Sequence, residues 1–360
     1  MTKKAAPSSK EISFSEDTRR MMNDFSLKAK VELGVVPTHA KFVGGVVPDE
    51  NGRMPRNSSG EMVVVEALRD LIDCSPVGLD AVQLSVFPGT LDEELDAVIE
   101  AFKELGLIVH LVMMVGGADP MNPDDEDAVV AQLLPSLEAA KRHGVVHVAS
   151  TSIEQWLDAG AGRRDGADFE AAVAQLAKLH ARAYREAGLE DSCVKAWHIE
   201  FLRPGEFNTF TDLGRAWTFV KAANELVGKS FFKCLIDAAH CGDSDLDIPA
   251  NEALIREMAA AGDMGLFHAS AKTTRGCLST DDGWVGALLA TCAETGNLEQ
   301  VFVEMFCHDD VALAPLRELD PRHGVDTCDG RTYTQVVADG LESVARRLNN
   351  FVVRGKLEAR

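Results

Sequence analysis

Long apolar runs, paired cysteines and an excess of positive charge are all absent from this chain of 360 residues. No stretch approaches about 18 consecutive apolar residues, so no transmembrane helix is indicated. The N-terminal segment MTKKAAPSSKEISFSED has no apolar core and does not resemble a secretory signal. The eight cysteines include no Cys-x-x-Cys pair, which indicates reduced thiols and predicts a cytoplasmic protein.

The deficit of positive charge limits the partners that the protein can bind. Asp and Glu total 57 against 36 Lys and Arg, which gives a net charge of −21. Nucleic acid and anionic membranes would repel such a chain, and we expect neither as a partner. No Walker A sequence or Gly-x-Gly-x-x-Gly motif stands at a strand-to-helix turn, so a nucleotide is not indicated. What the chain does have is 46% hydrophobic residues, ample for a buried core.

Eight apolar segments of strand length recur along the chain and alternate with longer segments of helical pattern. They are VELGVV (31–36), AVQLSVF (81–87), IVHLVMM (108–114), VVHVAS (145–150), VKAWHIEFL (194–202), FFKCLID (231–237), GLFHAS (265–270) and QVFVEMF (300–306). Helices between apolar strands indicate parallel pairing, and eight such units predict a single (β/α)8 TIM barrel at 30–360 after an N-terminal extension at 1–29. A doubly wound open sheet is the alternative, but no glycine-rich phosphate loop follows the first strand.

Three connections are longer than packing requires, at 44–60, 116–127 and 308–330. Each follows a predicted strand, so all three belong to the C-terminal face of the barrel. That face carries the active site in this fold. We therefore expect these loops to form a lid or the walls of a substrate pocket.

Polar residues stand near the C-terminal ends of the last four predicted strands, where a barrel interior should be apolar. They are Glu200, Asp237, His268 and Glu304. Any one of them alone would be read as an ion-paired or hydrogen-bonded core residue. Together, three buried carboxylates are very costly unless a cation compensates them. The sequence therefore predicts one divalent metal ion, and three oxygens with one nitrogen suit Mn²⁺, Mg²⁺, Co²⁺ or Zn²⁺.

The other strand histidines have no evident partner in the sequence. His110 and His147 are expected to pack in the core or line the pocket. His198 points inward one step below Glu200 and is expected to support the ligands from behind. His39, which follows the first strand, is a candidate for the pocket mouth.

The order and context of the four predicted ligands resemble the sugar isomerase and epimerase superfamily of xylose-isomerase-like TIM barrels. Within it, the motifs match the D-tagatose 3-epimerase group best. That group has a second Glu six residues after its first ligand, an Asp-x-x-His motif on strand six, an Arg shortly after the strand-seven His, and Glu-x-Phe on strand eight. Here Glu206 ends the segment EFLRPGE, His240 ends DAAH and Arg275 ends HASAKTTR. The segment EMF is the Glu-x-Phe motif. Two departures are that Arg275 follows His268 by seven residues, one more than in the group, and that Arg203-Pro204 replaces the usual Asn-Arg.

This resemblance implies a metal-dependent isomerase or epimerase that acts on a keto-sugar. In the implied mechanism the metal stabilises an enediolate, while Glu200 and Glu304 remove and return a proton on opposite faces of the substrate. Glu206, His240 and Arg275 would bind the sugar, and Lys272 is a further candidate contact.

Three alternatives use the same fold in other ways. A lyase, such as an inosose dehydratase or a C-glycoside-cleaving enzyme, would enolise its substrate and then expel a leaving group. An endonuclease IV-like nuclease would need more histidines and a basic face, and a binding protein would not need both glutamates. The identity of the sugar and its phosphorylation, the metal and the oligomeric state remain open.

Overall fold

Eight parallel strands close into a barrel in the computed structural model, which describes residues 25–158, 160–272, 281–324 and 327–360. The strands are Glu32–Val36 (β1), Ala81–Val86 (β2), Ile108–Met113 (β3), His147–Ser150 (β4), Ala196–Ile199 (β5), Phe232–Asp237 (β6), Met264–Ala269 (β7) and Gln300–Glu304 (β8). Each pairs with the next, and β1 closes the barrel against β8. The predicted fold class and all eight predicted strands are confirmed.

Helices follow the strands and cover the outside of the barrel. Those in the described ranges are Val63–Cys74 (α1), Asp92–Glu104 (α2), Glu126–His143 (α3), Ala167–Glu186 (α4), Leu213–Val227 (α5), Ala238–Asp243 (α6), Ile248–Ala261 (α7), Trp284–Thr295 (α8), Ala314–Leu319 (α9) and Tyr333–Val353 (α10). Side-chain caps begin several of them, because an Asp or Thr oxygen accepts an otherwise unpaired backbone N–H of the first turn. Among these helices, none has the length and apolarity that a bilayer crossing needs.

The strands alternate between two environments. Outward residues such as Leu33 and Val303 pack against the helices, whereas inward residues such as Val36 and Phe302 fill the barrel. Phe302 occupies the middle of the barrel and is fully buried. Gly34 on the neighbouring strand makes room for its ring, since a Cβ there would come within 2.5 Å of the Phe302 side chain. Phe302 thus separates two polar layers of the interior.

The lower polar layer contains three of the strand histidines. His110 bonds the Glu32 carboxylate at 2.5 Å and stacks on His147, whose Nδ1 lies 3.2 Å from Nε2 of His198. Nδ1 of His198 accepts the backbone N–H of Leu266. The expectation that His198 supports the ligands from behind is therefore wrong, because both of its ring nitrogens bond within the lower layer. None of the three lines the cavity described below.

The two ends of the described chain meet below the barrel. The backbone N–H of Lys30 donates to Glu358, and that of Arg360 donates to Lys28. Leu27 and Ala29 are buried in the core. Residues 1–24 of the predicted N-terminal extension lie outside the described residues. The described cysteines from Cys74 to Cys307 are free thiols.

Candidate metal centre

The four predicted ligands converge at the C-terminal end of the barrel. Asp237, His268 and Glu304 lie at or near the ends of β6, β7 and β8, and Glu200 directly follows β5. One ligand atom from each lies within 4.8 Å of the other three, and all four residues are buried. Parallel strands in one barrel end at the same face, so residues about 100 positions apart in sequence become neighbours.

His268 lies at the centre of this arrangement. Its Nδ1 is 3.5 Å from a Glu200 oxygen, 3.7 Å from an Asp237 oxygen and 3.4 Å from a Glu304 oxygen. This Nδ1 atom is buried and makes no hydrogen bond among the described residues. A buried imidazole nitrogen facing three carboxylate oxygens is a donor set that fits one divalent cation. The cluster can therefore hold a metal ion.

The charges in the cluster shift the pKa of its members. Burial would lower the pKa of His268, but Glu304 and Glu200 outweigh it and raise that pKa well above its ordinary value. Burial raises the pKa of Glu304 to about 6. For Glu200, burial is outweighed by His268 and His240, and the pKa lies below its ordinary value. A protonated His268 and a metal ion compensate the same carboxylates, so the proton and the metal compete for this site.

The Asp-x-x-His motif has a local structural role. Asp237 is the N-cap of α6, and one of its oxygens accepts the backbone N–H of His240 at 2.8 Å. This capping bond fixes the Asp237 side chain, so that its other oxygen faces the cluster. The same turn brings Nε2 of His240 to 3.4 Å from Glu200. The motif therefore positions a ligand and a neighbouring imidazole together.

Gln83 is a functional candidate that the sequence analysis missed. It is fully buried on β2, and its Oε1 accepts a hydrogen bond from Nε2 of His268 at 2.6 Å. This bond fixes the tautomer that leaves Nδ1 of His268 available to a metal. The signal in the sequence was a lone amide inside the apolar strand AVQLSVF.

Replacing Gln83 by Leu should weaken metal binding about 10- to 100-fold, because His268 loses the acceptor that orients its ring. Equilibrium dialysis against Mn²⁺ measures the change. Gln300→Leu is the matched control, since Gln300 is also a buried amide inside the barrel but bonds His147 in the lower polar layer. Equal affinities of the two variants would show that Gln83 does not position the ligand.

A cavity of about 300 Å³ opens above the cluster. Glu200, His268 and Glu304 lie at its floor, and Glu206 and His240 also line it. Each of the three long loops contributes to its walls, as expected, through Val47, Gly116 and a group from the last loop: Ala312, Leu313, Leu316 and His323. Its size is within the range of small-molecule sites.

Arg203 and Trp156 hold Glu206 in place. Arg203 Nε donates to one of its oxygens at 3.1 Å, and the Trp156 indole N–H donates to the other at 3.3 Å. Arg203 also donates to Nδ1 of His323 at 3.1 Å, and its guanidinium lies 3.8 Å from Asp243. This arginine, one of the two departures from the epimerase motif, thus connects the loops that follow β5, β6 and β8.

The remaining predicted site residues lie elsewhere or outside the described ranges. The Lys272 ammonium lies 5.7 Å from the centre of the Trp284 ring, and Lys272 is not among the residues that line the cavity. His39 is buried, bonds the Ala67 carbonyl at 3.3 Å and does not line the cavity either. Arg275 falls within 273–280, outside the described residues.

These features define a (β/α)8 barrel whose C-terminal face carries a buried cluster able to bind metal. The sequence matches no family profile and no curated protein. In fold, the chain is similar to an L-ribulose 3-epimerase, with 17% identity and a TM-score of 0.63 over 91% of this chain and 97% of that one. It is also similar to a D-allulose 3-epimerase from Methylomonas sp. in complex with D-allulose, with 14% identity and a TM-score of 0.64 over 90% and 99%.

A third structure of similar fold is an IolI protein with a bound zinc atom, at 13% identity and a TM-score of 0.56 over 91% of this chain and 99% of that one. Identities this low establish the fold alone. The predicted resemblance to xylose-isomerase-like barrels, and to the 3-epimerases among them, is confirmed at that level.

Proposed function

We propose that this protein is a divalent-metal-dependent isomerase or epimerase that moves the proton beside the carbonyl of a keto-sugar. The observation that carries the proposal is the buried cluster of Glu200, Asp237, His268 and Glu304, three of which (Glu200, His268 and Glu304) lie at the floor of a cavity. The similarity in fold to ketose 3-epimerases supports the choice of substrate class.

A divalent cation held by these four residues would supply Lewis-acid stabilisation of the negative charge that develops on the carbonyl oxygen. Glu200 and Glu304 reach the cluster from β5 and β8, which are not adjacent in the barrel. One carboxylate removes the proton from the carbon next to the carbonyl, and the other returns one to the opposite face. His240 and Glu206 bind substrate hydroxyls from the side of the cavity formed by the loops after β5 and β6.

The test is exchange of a carbon-bound proton with solvent. The Mn²⁺-loaded protein in D₂O should introduce deuterium at the carbon beside the carbonyl of D-allulose, L-ribulose or the minimal α-hydroxy ketone hydroxyacetone, as followed by proton NMR. Exchange should stop after chelation. Absence of exchange in all three compounds, with the metal shown to be bound, would overturn the proposal.

A lyase is the second candidate, because the same proton abstraction precedes the loss of a leaving group from the neighbouring carbon. The observation that favours it is the apolar lining of the cavity, with residues such as Phe306 and Leu313, which a hydrophobic leaving group attached to the sugar would cover. A product that lacks water or an aglycone would assign the protein to this class and leave the metal site as proposed.

A further inference from the structure

The cavity above the cluster is chemically divided. Polar lining residues such as Glu206 and His240 follow β5 and β6, next to Glu200. The opposite side is formed by the segments that follow β8, β1, β2 and β3, which are neighbours in the closed barrel. We call the apolar residues of this side the apolar wall, and its principal members are Phe42, Phe87, Met114, Phe306, Leu313 and Leu316; His323 is a polar residue that lines the cavity from the same segments.

The aromatic members of the apolar wall form a continuous surface. The Phe42 ring contacts Phe87 edge-on, with centroids 5.7 Å apart, and lies 5.7 Å from the Phe306 ring. All three phenylalanines are only partly buried, so apolar surface remains accessible within the cavity. An accessible apolar surface of this kind is expected where a ligand covers it.

The backbone immediately before Phe42 is strained. Lys41 has φ 65° and ψ 153°, a conformation that is almost confined to glycine. Its ammonium pairs with Asp309 at 2.6 Å, and the backbone N–H of Phe42 donates to Asp310 at 2.5 Å. These contacts join the loop after β1 to the loop after β8. Strain that is maintained by such specific contacts indicates that the position of Phe42 matters to the site.

A free ketose matches the apolar wall poorly. It carries a hydroxyl on nearly every carbon, and each one loses water on binding and needs a protein partner. Glu154, a further polar lining residue, already accepts the backbone N–H groups of Asn208, Thr209 and Phe210. No Lys or Arg of the described ranges lines the cavity.

We propose that the substrate is a sugar-type α-hydroxy ketone that carries an aromatic substituent, and that this substituent packs on the apolar wall. The inference rests on the proposed function for the end of the substrate that faces the metal. The other end is recognised by burial of apolar area rather than by hydrogen bonds.

Two small ketones separate the contribution of the wall from that of the metal. Hydroxyacetone and α-hydroxyacetophenone share the same α-hydroxy carbonyl group and differ only in a methyl or a phenyl substituent. In calorimetric titrations of the Mn²⁺-loaded protein, the phenyl compound should bind roughly tenfold or more tightly, because it buries one further aromatic ring.

Two variants, each close in side-chain size to the residue it replaces, test whether the apolar wall causes the tighter binding of the phenyl compound. Leu316→Asn and Met114→Gln make the wall polar from two different loops, and each should reduce the ratio of the two affinities toward one. Leu319→Asn is the control, because Leu319 lies on the same helix, α9, but is 60% exposed and does not line the cavity. It should leave the ratio unchanged.

Equal affinity for the two ketones, no detectable binding of the phenyl compound, or a preference that survives in both folded variants would overturn the inference. Failure of the proposed function gives a different result: the phenyl preference would persist, while neither ketone would exchange its α-proton for deuterium.

Discussion

The Asp237→Asn variant should lose divalent-metal affinity by more than about 100-fold. Changes to groups that merely support a ligand already cost about 10- to 100-fold, and here a ligand itself loses its charge. Asn is as good an N-cap as Asp, so the bond to the backbone of His240 and helix α6 should persist. Mn²⁺ titration followed by electron paramagnetic resonance measures the free ion directly.

Asp247→Asn provides a matched control for this change. Asp247 is the N-cap of α7, where its carboxylate accepts the backbone N–H of Ala250 at 2.9 Å, and it is exposed at the surface. It should bind Mn²⁺ as the unmodified protein does. Saturating Mn²⁺ should also raise the melting temperature of the unmodified protein and of this control, but not that of Asp237→Asn. Unchanged affinity in a folded Asp237→Asn protein would remove Asp237 from the ligand set.

The barrel and the convergence of the four predicted ligands were predictable because both depend on patterns that are local in sequence. Apolar segments separated by helical ones specify parallel strands, and strands in one barrel must end at a common face. His268 and Glu304 stand out because each interrupts such an apolar segment. The pairing of β6 with β7, which sets Asp237 opposite His268, then follows from the fold class alone.

Contacts across the barrel were not predictable in this way. The bond between Gln83 and His268 joins β2 to β7. No local pattern in the sequence reveals that these two side chains lie at the same level along the barrel axis. His198 was misassigned for the same reason, since its partner His147 lies 51 positions away. The contact between Arg203 and His323 spans 120 positions and depends on the path of a long loop.

The apolar wall could not be recognised in the sequence, for a different reason. Phe42, Phe87 and Phe306 resemble core residues in the sequence, because burial in a core and exposure to an apolar ligand require the same side chains. Only their partial burial beside the cavity distinguishes them. The sequence therefore predicted the cluster of candidate ligands better than the apolar side of the cavity above it.

Replacing Glu304 by Gln should lower the rate of exchange of one of the two α-protons of hydroxyacetone about 10²- to 10⁴-fold, the usual effect of removing a general base, while Glu200 still exchanges the proton on the opposite face. Gln has the size of Glu and retains one oxygen that can face a metal, but it cannot accept the proton. The rate of deuterium uptake by hydroxyacetone in D₂O, measured at saturating Mn²⁺, reports this step without requiring the natural substrate.

Loss of the base must be separated from loss of the metal. Exchange rates should therefore be compared at Mn²⁺ concentrations shown by titration to saturate each variant. Glu299→Gln is the control, because Glu299 stands just before β8, at the opposite end of that strand from Glu304, and its side chain is exposed. It should exchange at the unmodified rate. A metal-saturated Glu304→Gln protein that exchanges both α-protons just as fast would exclude the two-carboxylate mechanism, since Glu200 alone would then account for removal of the proton from either face.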